Sequence, residues 1–289
     1  MGTKLRMAVA GLVFGVMLAG CKDGAKHERP VIAVSVAPQA ALVEAIAGED
    51  YDVVTILDRG ANPETFEPGM QTRIAADNAK AYLSLGGLLP FEKALTESLS
   101  DKVVQFDTSK GIELEYGTHG DAGHRHDDND GADPHVWTSI VNIAVMADNI
   151  SEFLCELNPK GAQHYAMKTD SLMAVLDCLD ENFREKLKEA PSQAFAVWHP
   201  SLSYFARDYN LKQIALGQEH KELSAMRLKE LCDSATGEGT RVFFLQREFD
   251  PRQASTANER IGSRLVRIDP LSDDWAGQLT MIVDELTKR

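Results

Sequence analysis

Cysteine is scarce in this chain and ungrouped: four residues in 289, none in a Cys-x-x-Cys pair. That excludes a thiolate zinc knuckle and signals no disulfide framework. Basic residues are also in short supply, with 30 Lys and Arg against 44 Asp and Glu, for a formal charge of −14. A surface of that sign does not suit nucleic acid or a polybasic membrane patch, whereas it does suit a cation. No His-Glu-x-x-His segment occurs, so the helical signature of a zinc hydrolase is missing. Long apolar runs are lacking as well: the N-terminal one, Met7 to Ala19, is shorter than the ~20 residues a spanning helix needs.

That run follows Lys4 and Arg6 and closes on Leu18-Ala19-Gly20-Cys21, a small-residue cleavage pattern with cysteine at the new terminus. It predicts a lipoprotein leader over residues 1–20 and membrane attachment through acyl chains on Cys21, of which more than one is needed for stable anchoring. Losing Lys4 and Arg6 takes the formal charge from −14 to −16. Residues 21–29 are charged, without apolar period, and read as a tether. The folded part is therefore expected to face the periplasm or the cell exterior. Cys155, Cys178 and Cys232 remain, expected as small buried hydrophobes, with a Cys155–Cys178 disulfide as the alternative.

From residue 30 the chain alternates short apolar, β-branched or aromatic runs with segments of helical period. The runs are Val31 to Val36, Val53 to Leu57, Tyr82 to Leu85 and Val103 to Phe106, then Ala194 to Trp198, Leu211 to Ala215, Val242 to Leu245 and Leu265 to Ile268. Helical segments include Gln39 to Ala47, Pro90 to Leu99, Ser224 to Ser234 and Ala254 to Ile261. Such alternation implies parallel βα units, here in two similar lobes, 30–160 and 190–289. Between them Ser139 is placed to cap one helix, and a second, over 161–189, has no internal Gly or Pro. It places Leu172, Val175, Leu176, Leu179, Phe183 and Leu187 at helical spacing. At ~1.5 Å per residue it is a stiff strut of about 40 Å joining both lobes. The loop 115–134, rich in Gly and Asp, forbids a packed element.

Four short stretches far apart carry metal-capable side chains: Asn62-Pro63-Glu64, Asp133-Pro134-His135, Trp198-His199-Pro200 and Ile268-Asp269-Pro270. Glu64, His135, His199 and Asp269 each fall at the C-terminal end of a predicted strand or in the loop after one, where open α/β sheets gather ligands. Two imidazoles and two carboxylates suit Zn²⁺, Mn²⁺ or Fe²⁺, whereas Ca²⁺ and Mg²⁺ favour all-oxygen cages. Imidazoles must be deprotonated to ligate, so binding should weaken as pH falls through ~6.5, the reference histidine value. Trp137 and Trp198 read either as indole walls beside the ligands or as core aromatics. His119, His124 and His126, with Asp127, Asp128 and Asp130, form a possible auxiliary metal loop, or a solvated linker. Glu219-His220-Lys221 receives no ligand role.

The whole mature chain resembles the solute-binding lipoproteins of bacterial zinc and manganese ABC importers. The resemblance rests on Gly60-Ala-Asn-Pro-Glu-Thr-Phe-Glu-Pro68, Asp133-Pro-His-Val-Trp137, His199-Pro-Ser-Leu-Ser-Tyr204-Phe-Ala-Arg-Asp-Tyr209 and Asp269-Pro-Leu271, in order and spacing. It implies two βα lobes joined by one long helix, a single buried cation between them as transported ligand, and delivery to an ABC permease. A protein of this kind is a carrier and not an enzyme, and it is expected to act as a monomer. In His-rich members of the family an acidic loop precedes the Asp-Pro-His motif, as residues 119–130 do here. The chain departs from the pattern at Glu64, where the family usually carries histidine. Harder oxygen donors move preference toward manganese or iron, while the Irving–Williams order and the His-rich loop favour zinc, the expected cargo. A cell-envelope metallohydrolase or an adhesin without metal are the rival classes.

Overall fold

The computed structural model describes residues 29–116, 131–217 and 224–289. The leader 1–20, Cys21, nearly all of the tether, and His119, His124 and His126 lie outside the described residues. Among the described residues, eight strands form two four-stranded sheets. The first contains β1 (Val31–Val34), β2 (Asp52–Thr55), β3 (Ala81–Ser84) and β4 (Val104–Asp107) in the order β2-β1-β3-β4. The second contains β5 (Ala194–Val197), β6 (Lys212–Ala215), β7 (Val242–Gln246) and β8 (Arg264–Ile268) in the order β6-β5-β7-β8. All pairings are parallel, as the βα alternation predicts. The inner strands β5 and β7 are buried throughout and the outer ones only in part, which is why the inner runs are nearly continuous in apolar residues.

Helices cover the faces: α1 (Ala37–Ala47), α2 (Met70–Asp77) and α3 (Pro90–Ser98) in the first lobe, and α6 (Ser203–Asp208), α7 (Ala225–Gly237), α8 (Pro251–Ile261) and α9 (Trp275–Thr287) in the second. Between the lobes run α4 (Ile140–Leu157) and α5 (Ala162–Lys188). Ser139 caps α4 by accepting from the Asn142 N–H. Helix α8 starts before the expected Ala254 because Asp250 caps it and Pro251 fits its first turn, and it ends on Gly262 at φ 72°, a left-handed stop. Helices α2, α6 and α9 were not part of the expectation. The last carries Leu279, Ile282, Val283 and Leu286 at helical spacing, all buried.

Helix α5 packs on α1 and α4 from one lobe and α9 from the other, so one continuous core runs through both. Its buried face is Tyr165, Leu176, Phe183 and Leu187; Val175, expected inside, points outward. Tyr165 donates to Asp50 Oδ2 at 2.6 Å, and Lys186 pairs with Asp284 of α9 at 2.6 Å. A smaller core under α7 and α8 holds Cys232. The cysteine expectation is corrected in part: all three are free thiols, Cys232 is buried, Cys155 is half-buried and Cys178 is exposed. Among the described residues no helix is long and apolar enough to cross a membrane.

Candidate metal centre

Each of the candidate side chains is presented by short-range bonding. In the loop after β2, Asn62 Oδ1 accepts the Glu64 N–H at 2.9 Å, a turn that Asn and Pro63 favour. Phe66, two residues on, packs edge-on against Phe91 of α3 with centroids 5.6 Å apart, which fixes the loop to the lobe. In the loop before α4, Asp133 Oδ1 takes both the backbone N–H of His135 at 2.9 Å and its Nδ1 at 2.8 Å. The Asp133 carbonyl in turn accepts from Tyr204 Oη at 2.7 Å, a bond from α6 of the other lobe. His199 follows the end of β5, where the strand order reverses between β6 and β7. Gln246, last in β7, accepts the His199 N–H at 3.3 Å, donates its amide back to the His199 carbonyl, and donates to Ser201 Oγ at 2.7 Å.

These loops bring three of the four expected ligands together. The ligand-capable atoms of Glu64, His135 and His199 all lie within 4.8 Å of one another. His135 Nε2 and His199 Nε2 are 3.3 Å apart, and Glu64 Oε1 is 3.2 Å from His199 Nε2. Donors bound at about 2.0–2.1 Å to a tetrahedral centre stand about 3.3–3.4 Å from each other, so the spacing is that of neighbouring corners around one small cation. The Asp133 carboxylate against Nδ1 favours the His135 tautomer with its proton there, which leaves the Nε2 lone pair for a metal, the arrangement found where histidine ligates metal. Both rings are almost wholly buried, at 2% and 3% exposure, so charge inside is poorly screened and a cation gains most from Glu64.

Asp269 is not brought into this group. Its Oδ2 lies 3.3 Å from Arg247 Nη1, on a half-buried edge of the same region, and its N–H donates to Gln278 Oε1 at 2.9 Å. The two tryptophans part company. Trp137 flanks His135 with ring centroids 5.3 Å apart and donates Nε1–H to the Pro270 carbonyl at 2.9 Å, joining the lobes beside the centre. Trp198 turns away into the second lobe, tilted against Phe243, and sits so close to Gly217 that a Cβ there would meet the indole at 2.9 Å. The ring that stacks on His199 is Phe249, at 5.4 Å and 29°. Asp133, Gln246 and Phe249 carried no assigned role in the motifs, although the Asp-x-His spacing of residues 133 and 135 is a readable sign of the first. Near the centre, burial pushes the Glu248 carboxyl up, partly offset by its own backbone N–H and by His135, and the Asp269 charge adds to the rise.

Known proteins resemble this chain over most of its length. Residues 32–288 match the family model described as "ZnuA: Zinc-uptake complex component A periplasmic". The zinc-binding protein AdcA of Streptococcus pyogenes serotype M3 is 23% identical over 288 residues, covering 92% of this chain and 55% of that protein. The chain thus spans about half the length of the curated relatives it matches. A crystal structure of ZnuA superposes with a TM-score of 0.80 at 30% identity, covering 90% of this chain and 98% of that one. A zinc-bound ZnuA lacking its residues 138–173 gives 0.79 at 30% identity, covering 90% and 99%. With the family model matched over nearly all of the described chain, this protein belongs to the ZnuA family of periplasmic zinc-uptake components.

Proposed function

We propose that this chain captures one zinc ion outside the cytoplasmic membrane on Glu64, His135 and His199, and presents it to the permease of an ABC importer. The observation that carries the reading is the pair of buried Nε2 atoms 3.3 Å apart, one from each lobe, with Glu64 Oε1 at 3.2 Å. Asp133 fixes the tautomer of His135, Gln246 fixes the backbone at His199, and Phe249 and Trp137 wall the rings from solvent. Asp269 supplies the fourth donor once the ion is present. Zinc is favoured over manganese or iron because corner spacing of this size suits four-coordination, whereas those ions prefer more oxygen donors. Binding, not turnover, is the activity: a hydrolytic zinc keeps a position for water, and here the carboxylates complete the shell.

In this reading the lobes are residues 30–160 and 190–289, with 161–189 as the strut, and the protein works as a monomer tethered through acylated Cys21. His119, His124 and His126 would feed the centre with loosely held ions. The test is a competition titration of protein stripped with chelator, with zinc and manganese against a chromophoric chelator. Tight binding of zinc at one equivalent, weakened at least 100-fold in His199→Ala and in His135→Ala, is the expected result. Preference for manganese would transfer the assignment to a different cargo. A melting temperature indifferent to every divalent ion would leave the adhesin reading standing instead.

A further inference from the structure

Between the lobes lies a cavity of about 320 Å³ whose charged lining is Glu44, Asp58, Arg59, Arg247, Asp269 and Asp273. Acids outnumber arginines there, and each arginine is already engaged: Arg59 with Asp273 across the lobes at 2.9 Å, Arg247 with Asp269 at 3.3 Å. The cavity therefore has no spare positive charge for an anion. Asp269 links the cavity to the centre through its neighbour in the chain. It lines the cavity, and it precedes Pro270, whose carbonyl is held by Trp137, the ring against His135.

Resting on the zinc-capture reading above, we propose that Arg247 is a resident cation that holds the Asp269 carboxylate off the centre until a divalent ion displaces it. Charge balance gives the reason. A divalent ion held by Glu64 and two neutral imidazoles keeps one net positive charge in a buried site; the Asp269 carboxylate removes it. The guanidinium is the competitor for that carboxylate. Its side chain is 71% exposed, so the pair is weak and screened, and on displacement Arg247 returns to water at little cost. Arg247 thus sets the ion concentration at which the fourth donor closes on the metal.

The experiment is zinc affinity by chelator competition in wild type, Arg247→Gln, Asp269→Asn and the double variant, at low and high salt. Arg247→Gln is expected to tighten zinc about two- to fivefold, the range an exposed pair can supply. In the Asp269→Asn background the same change is expected to do nothing. Salt at about 0.5 M, which screens the pair, is expected to shrink the gap between wild type and Arg247→Gln. Unaltered or weaker binding in Arg247→Gln would overturn the proposal, as would equal tightening without the Asp269 carboxylate. The visible absorption of the cobalt(II) forms gives a second readout: Asp269→Asn is expected to change its intensity and Arg247→Gln to leave it as in wild type, and a spectrum indifferent to Asp269→Asn would also overturn it. A wild type that bound no zinc would sink the capture reading itself, a result separate from any of these.

Discussion

His135 can ligate only through Nε2, because the Asp133 carboxylate holds Nδ1 at 2.8 Å. Asp133→Asn should leave the ring in place with its tautomer no longer enforced, and zinc affinity should fall about 10–100-fold, as loss of such an orienting partner does elsewhere. Calorimetric titration checks it; an affinity within twofold of wild type would assign Asp133 to packing alone. In the proposed site Glu64 is an oxygen donor, and Glu64→His should raise the zinc-to-manganese selectivity by replacing a hard donor with a softer one. The candidate ligands were legible in the sequence through their shared place at or after predicted strand ends, since a lone His or an Asp before Pro, taken singly, more often serves packing or a turn. Asp269 was read as equivalent to the other three, since its motif gives no sign that Arg247, 22 residues earlier, would lie against it.

A second residue-scale consequence concerns Glu92, buried in α3 beneath the first sheet. Burial pushes its carboxyl up to about 7, although the Leu85 and Gly87 N–H groups and the Ser35 hydroxyl favour its charged form. The folded protein therefore holds this proton more tightly than the unfolded chain, whose reference is near 4.5. The stabilisation is fully present below about 4.5 and is lost as pH rises through about 7. Glu92→Gln should flatten that segment of the stability–pH curve, measured by urea unfolding from pH 4.5 to 8. A variant as steep as wild type would place the slope on other groups.

Among the elements, α5 is the one on which both lobes lean. Phe183 is fully buried in it, so Phe183→Ala should cost about 3–5 kcal/mol of unfolding free energy, with zinc affinity little changed if the lobes still close. A loss under 1 kcal/mol would mean that α5 only spans the lobes without bearing on them. The helix was readable from its unbroken period, and the eight strands from apolar runs of the length a covered parallel sheet uses. Helices α2 and α6 were not readable. The first buries only Ala76 and so shows no apolar stripe, and the second is a six-residue piece inside a motif dominated by His199 and Pro200. Val175 illustrates the limit of period alone: it sits at helical spacing, yet among the described residues 53% of its surface stays exposed.

At the scale of the whole molecule, the lobes are joined by more than the helix. Tyr204 reaches Asp133, Trp137 reaches Pro270, Arg207 donates to the Glu113 carbonyl at 2.9 Å, and Ser139 donates to Asp208. With these bonds beside a continuous core, opening should be confined to loops and a lobe edge, and not be a wide hinge swing. Solution scattering should show the radius of gyration changing by less than about 1 Å on zinc binding. None of these cross-lobe bonds was visible in the sequence, since each joins residues set apart in the chain by a fold not yet formed.

All of this depends on one ion sitting where the two lobes meet. The most direct test is a crystal of zinc-loaded protein measured on both sides of the zinc absorption edge. A single strong anomalous peak about 2.0–2.1 Å from His135 Nε2 and His199 Nε2, with Glu64 in the shell, is the result expected. A peak elsewhere in the molecule, with those two nitrogens bonded only to each other or to water, would contradict the account.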